Sequence, residues 1–239
     1  MKYNPELEGF KDFDDFTKDS PCIWIIYPAG AAGDLLGAII NYHYVKTSST
    51  YRGITDQGQV IFRSSDKKAY NQLHEAGKKE FTEEFFEKVN ESLSRHHTNM
   101  SRLDQFIFTN HAYQDSDCRR ILDTFTNCKI IRINWQTQEE ANIIKWLGFY
   151  KNLNKKLSAP DPKHPYPDIP TYDSTSRISD VRLLDIYFSD LINSNKFEIA
   201  YTKIVNLLGL PYKLIRYEFI QEWIDMQDND IKPFLKKLQ

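Results

Sequence analysis

Three short runs in the first part of the chain are apolar on nearly every position and do not alternate. They are residues 22–27 (CIWIIY), 106–108 (FIF) and 129–133 (KIIRI). Strands covered on both faces read this way. Helical spacing follows each of them. After the first, apolar residues recur at Leu35, Leu36, Ile39, Ile40 and Tyr44. After the second, Ser116 is a candidate cap for a helix carrying Ile121, Leu122 and Phe125. After the third, Thr137 and Glu140 have the spacing of a capping box ahead of Ile143, Ile144 and Leu147. Another helix is expected behind Thr82, with Glu83 and Glu84 in its first turn and Phe85, Phe86, Val89 and Leu93 on its apolar face. Residues 60–62 are a candidate short strand. The C-terminal third predicts helices over 181–193, 196–208 and 217–227. Strands alternating with helices predict an α/β fold, a three-layer α/β/α arrangement with a mainly parallel central sheet and right-handed crossovers. A length of 239 residues suits a single α/β domain over 1–239.

Composition narrows the function. Apolar residues make up 41% and charged residues 27%, and the formal net charge is -2. That balance gives no global pull toward nucleic acid or an anionic membrane. No apolar run approaches the roughly 20 residues that span a bilayer. Cys22, Cys118 and Cys128 have no short paired spacing, so neither a disulfide framework nor a zinc site is implied. The acidic, polar opening stretch is unlike a secretory leader. A reducing, cytoplasmic setting is expected. Residues 155–177 hold many of the ten prolines and read as a surface segment or lid.

The stretch Pro28-Ala29-Gly30-Ala31-Ala32-Gly33-Asp34 joins the first strand to its helix. Small residues let backbone amides approach an anion, and the helix N-terminus adds unpaired donors and partial positive charge. Neither a Walker lysine nor the dinucleotide G-x-G-x-x-G is present. Two readings fit: an anion site at Ala29, Gly30, Ala31, Ala32, Gly33 and Asp34, or a tight turn capped by Asp34.

The order of these segments resembles P-loop sulfotransferases, which use 3′-phosphoadenosine 5′-phosphosulfate (PAPS). The turn is similar to that family's phosphosulfate loop, with Ala29-Gly30-Ala31-Ala32 in the Ser-Gly-Thr-Thr places and Pro28 in the place of its lysine. Residues 106–112 (FIFTNHA) resemble the family's strand ending in Lys-Thr-His, which implies His111 as the catalytic base. Residues 128–133 resemble its third strand; Arg132 and, on the following helix, Asn142 fall near the residues that grip the cofactor 3′-phosphate. Residues 185–191 and the stretch from Phe197 to Pro211 resemble its closing segments. The resemblance implies a P-loop NTPase-like sulfotransferase architecture, PAPS as cofactor, and a small-molecule or saccharide acceptor. Chemically, an imidazole near neutrality at the end of a parallel strand suits proton abstraction from a hydroxyl; as a plain loop-capping residue His111 would have no such role.

His96 and His97 are adjacent, so their side chains diverge; a role at a helix C-terminus suits them better than metal binding. Lys155, Lys156, Lys163 and Arg177 flank the proline-rich segment and are candidates to fold over an anion. Glu139 and Glu140 belong to a helix start. Transfer of a sulfuryl group is therefore the first functional expectation. The alternative is a nucleotide- or small-molecule-binding protein that keeps the fold without the chemistry. No metal, nucleic acid or membrane partner is expected.

Overall fold

The computed structural model describes residues 16–28, 30–44, 81–95, 106–111, 114–153, 178–210, 218–225, 227 and 232–238. The elements in chain order are β1 (Cys22–Ile26), α1 (Gly33–Tyr44), α2 (Glu83–Arg95), β2 (Phe106–Asn110), α3 (Asp115–Thr124), β3 (Cys128–Asn134), α4 (Gln138–Leu153), β4 (Leu183–Tyr187), α5 (Phe188–Ile192), α6 (Phe197–Leu208), α7 (Glu218–Asp225) and α8 (Lys232–Leu238). The candidate strand at 60–62, the histidine pair and the proline-rich segment at 155–177 lie outside the described residues.

The three apolar runs form strands of one sheet. Its order is β2-β1-β3-β4, and every pairing is parallel. All five residues of β1 are buried, because β1 is central and packed on both faces. Ile23, Ile25, Ile131 and Ile133 face a core that includes Leu36 and Ile39 of α1, Ile144 and Leu147 of α4, and Ile204 of α6. Trp24, Ile26, Cys128 and Ile130 face a second core with Phe85 of α2 and Cys118, Ile121 and Leu122 of α3. Aromatic rings fill much of that second core, with Trp24 stacked on Phe108 at 4.6 Å.

Two local expectations are corrected. A helix over 181–193 is expected, yet residues 183–187 form β4 and only Phe188–Ile192 is helical. The reason is tertiary. The outer edge of β3 needs a backbone partner, and Leu183 to Tyr187 pair with Ile130 to Asn134. Ser116 also sits inside α3 rather than capping it. Gln114 is the N-cap, and the Asp117 carboxylate accepts the Gln114 backbone N–H at 3.1 Å. The Thr137–Glu140 capping box forms as expected: the Thr137 hydroxyl accepts the Glu140 N–H and Glu140 accepts the Thr137 N–H, at 3.1 and 3.2 Å. Glu140 reaches further and accepts the Ser189 N–H at 2.8 Å, which ties the start of α4 to the start of α5.

Candidate functional site

The strand order reverses direction between β1 and β3, since β1 is followed by β2 on one side and β3 by β4 on the other. In open parallel sheets ligands bind outside the carboxyl ends of the strands at such a point. The turn at 28–34 lies at that edge.

Its geometry follows from its small residues. The Ala31 N–H donates to the Pro28 carbonyl at 3.0 Å and closes a tight turn. Gly30 has φ 95°, open to glycine and strained for other residues. A Cβ on Gly30 would also collide with the Ile144 carbonyl and would sit 2.5 Å from the Gly148 nitrogen, so the turn rests on the backbone of α4. Ala32 has φ 58°, the left-handed region for a non-glycine residue, and Gly33 already belongs to α1. A left-handed residue followed by a helical one turns successive amides toward one point, as in an anion-binding nest. Ala31 and Ala32 are buried. Ala29 and the side chain of Asp34 lie outside the described residues.

His111 directly follows β2. Its ring meets that of Tyr27 edge-on, with centroids 4.9 Å apart at 85°. A Cβ on Gly33 would overlap the Tyr27 ring, so the same tyrosine packs on the first residue of α1. Tyr27 is 2% exposed and His111 is half-buried. One buried ring thus stands between the half-buried imidazole and the helix N-terminus. Tyr27 is not marked by its sequence, which reads only as the end of an apolar run.

Arg132 and Asn142 have other surroundings than those expected of cofactor ligands. The Arg132 guanidinium is fully buried and held by two carboxylates. Nε and Nη2 donate to Asp185 at 2.6 and 3.0 Å, and Nη1 donates to Asp115 at the start of α3. Burial alone would pull its pKa down; the bonds to Asp185 and Asp115 outweigh this and hold it above the ordinary value. Asn134 Nδ2 also donates to Asp185, at 2.7 Å. Two carboxylates thus engage the guanidinium from both sides, the place a phosphate would otherwise take. Asn142 is exposed on α4 and accepts a bond from Gln138 at 3.1 Å. Asp185 lies 53 residues from Arg132 in the chain, a separation at which sequence spacing gives no signal.

All three cysteines are free and buried. Burial is the main cause of their raised pKa values, with Cys118 pushed up to about 12. Among the described residues no group of three or more His, Cys, Asp or Glu is placed to hold a metal, and no helix is long and apolar enough to cross a membrane.

No family model matches the chain, and no curated protein matches it. Solved structures that overlap it loosely include two sulfotransferase domains. One is a sulfotransferase domain from the curacin biosynthetic pathway, with TM-score 0.38, 11% identity, and 89% of this chain and 80% of that one covered. The other is a sulfotransferase domain from the Synechococcus PCC 7002 olefin synthase, with TM-score 0.36, 11% identity, and 95% and 98% covered.

Proposed function

We propose that the chain is a group-transfer protein of the sulfotransferase kind: it holds the phosphosulfate end of PAPS on the turn at 28–34 and uses His111 as the base that deprotonates a hydroxyl or amine acceptor. The observation that supports this is the packing of His111 and of the start of α1 on the same ring, Tyr27, at the carboxyl edge of a parallel sheet. In this reading the layering of helices on the sheet is that of the P-loop sulfotransferases, the acceptor is a small molecule or saccharide, and the setting is the cytoplasm. The left-handed Ala32 just ahead of the first helical residue supports an anion held by the turn's backbone. The residues expected around the 3′-phosphate do not fit one, because Arg132 is bound to Asp115 and Asp185. Bound PAPS would supply the activated sulfuryl group; the chain's own part is to orient it by the turn amides and to accept the acceptor's proton at the imidazole.

A second reading, a binding protein without transfer activity, is favoured by Pro28 in place of a loop lysine and by the engaged Arg132. His111→Ala separates the two. Loss of a proton acceptor lowers turnover by about 10²–10⁴-fold, with nucleotide affinity unchanged, and wild-type turnover falls on the acid side as the imidazole protonates. Sulfuryl transfer that is undiminished in the alanine variant would remove His111 from the reaction. Nucleotide binding with no transfer to any hydroxyl or amine acceptor would leave the binding protein.

A further inference from the structure

We infer that the polar cluster at the carboxyl ends of β3 and β4 is a second binding site, in which the side-chain carbonyl of Asn134 takes a hydrogen bond from an uncharged ligand donor, a hydroxyl or an amine. The site is separate from the turn and does not depend on an anion being held there.

Asn134 is the last residue of β3, and its register partner is Tyr187, the last residue of β4. Alternation along β3 puts Asn134 and Arg132 on the face of Ile130, which is the face toward α3. Asn134 is 1% exposed. Its Nδ2 donates to Asp185 Oδ1 at 2.7 Å. An ionised carboxylate only accepts, so this contact fixes which end of the amide is the nitrogen and leaves the carbonyl oxygen at the other end. That oxygen, Oδ1, is buried and accepts no hydrogen bond among the described residues. Native structures satisfy nearly all buried acceptors, because an unmet one costs free energy.

The surroundings decide what can meet it. Asp185 holds the amide and shares Arg132 with Asp115. Arg132 is fully buried, whereas the side chains of Asp115 and Asp185 are 17% and 30% exposed. The cluster therefore has a buried floor and a rim that reaches solvent. A fully ionised phosphate, sulfate or carboxylate brings acceptors only and leaves Oδ1 unmet. A hydroxyl or amine answers it. The place is also one where ligands bind: the carboxyl edge of a parallel sheet, on the strand beside β1, where the strand order reverses. β2, which His111 follows, is two strands away, about 10 Å at the ordinary strand spacing. Two sources carry such donors near a site of this kind, the ribose of a nucleotide and a saccharide.

The ordinary alternative is a buried water that meets Oδ1. Calorimetric titration of wild type and Asn134→Leu decides between them, with adenosine 3′,5′-bisphosphate, its 2′-deoxy analogue, glucose and galactose as probes. Loss of one buried hydrogen bond lowers affinity by about 10-fold. If the donor is the ribose, wild type prefers the bisphosphate over its 2′-deoxy analogue by about that factor, and Asn134→Leu loses the preference. If it is a saccharide, wild type binds one of the two sugars and Asn134→Leu does not, whether or not the nucleotide binds. A bisphosphate that binds without regard to its 2′-hydroxyl, together with no sugar binding, overturns this inference and leaves the turn reading intact. Binding that Asn134→Leu retains unchanged overturns it as well. Nuclear magnetic resonance keeps the test sound if Asn134→Leu does not fold. In wild type the side-chain amide signals of Asn134 are expected to shift as the bound probe saturates, and signals that stay in place with every probe overturn the inference.

Discussion

Replacing Gly30 by alanine tests the packing of the turn on α4. Two costs add. The left-handed φ of 95° disfavours an L side chain by about 1–2 kcal/mol. The new Cβ meets the Ile144 carbonyl and the Gly148 nitrogen, which are backbone atoms of a helix and cannot rotate away. Overpacking of this sort costs about 1–3 kcal/mol. The sum, about 2–5 kcal/mol, is a large part of the stability of an ordinary domain, about 5–15 kcal/mol. Urea denaturation followed by circular dichroism measures it, with the midpoint shifting at nearly constant slope. Ala32→Gly in the same turn is the control. There a non-glycine residue already holds φ 58°, so glycine relieves strain and leaves stability within about 1 kcal/mol or raises it. A Gly30→Ala chain within about 0.5 kcal/mol of wild type, a shift typical of an uninvolved surface site, would refute the contact between the turn and α4. The same contact means that a bulky residue at Gly30 would disturb the packing on α4 and does not isolate ligand binding.

Arg132→Met removes the guanidinium that Asp115 and Asp185 share. Breaking a buried pair costs about 3–5 kcal/mol; with the Asp185 side chain 30% exposed, about 2–4 kcal/mol is expected in urea denaturation, and Arg132→Met/Asp185→Leu recovers part of it. A loss under about 0.5 kcal/mol would contradict the cluster's role. The buried thiols set an alkaline limit. Unfolded cysteines ionise from about pH 9 while Cys118 stays protonated up to about pH 12, so the unfolded chain binds fewer protons in that window. Stability therefore falls there by about 1.4 kcal/mol per pH unit for this thiol. Below pH 9 the thiols add no slope, and a thiol reagent is expected to react only at the rate of unfolding.

What the sequence reveals is what burial writes into it locally. Residues 22–26 lack alternation because both faces of β1 are covered, and that reading needs nothing beyond the run itself. The capping box of Thr137 and Glu140 spans three residues and is equally legible. β4 is different. Its sequence LLDIY places apolar residues as a helix would, and only the unpaired edge of β3, some 50 residues earlier, makes it a strand. The candidate site divides the same way. The turn is visible in its small residues, and His111 in its place after an apolar run. Neither the carboxylates that engage Arg132 nor the helix backbone beneath Gly30 adjoins its partner in sequence.

On the proposed function, the turn after β1 binds the phosphate end of a nucleotide. Calorimetric titration of adenosine 3′,5′-bisphosphate into the wild-type chain tests it most directly, with adenosine as the comparison. The account predicts saturable one-to-one binding of the bisphosphate, weakened by added salt as screened charge interactions are, and far weaker binding of adenosine. Equal affinity for adenosine and the bisphosphate, or no heat from either, would contradict it.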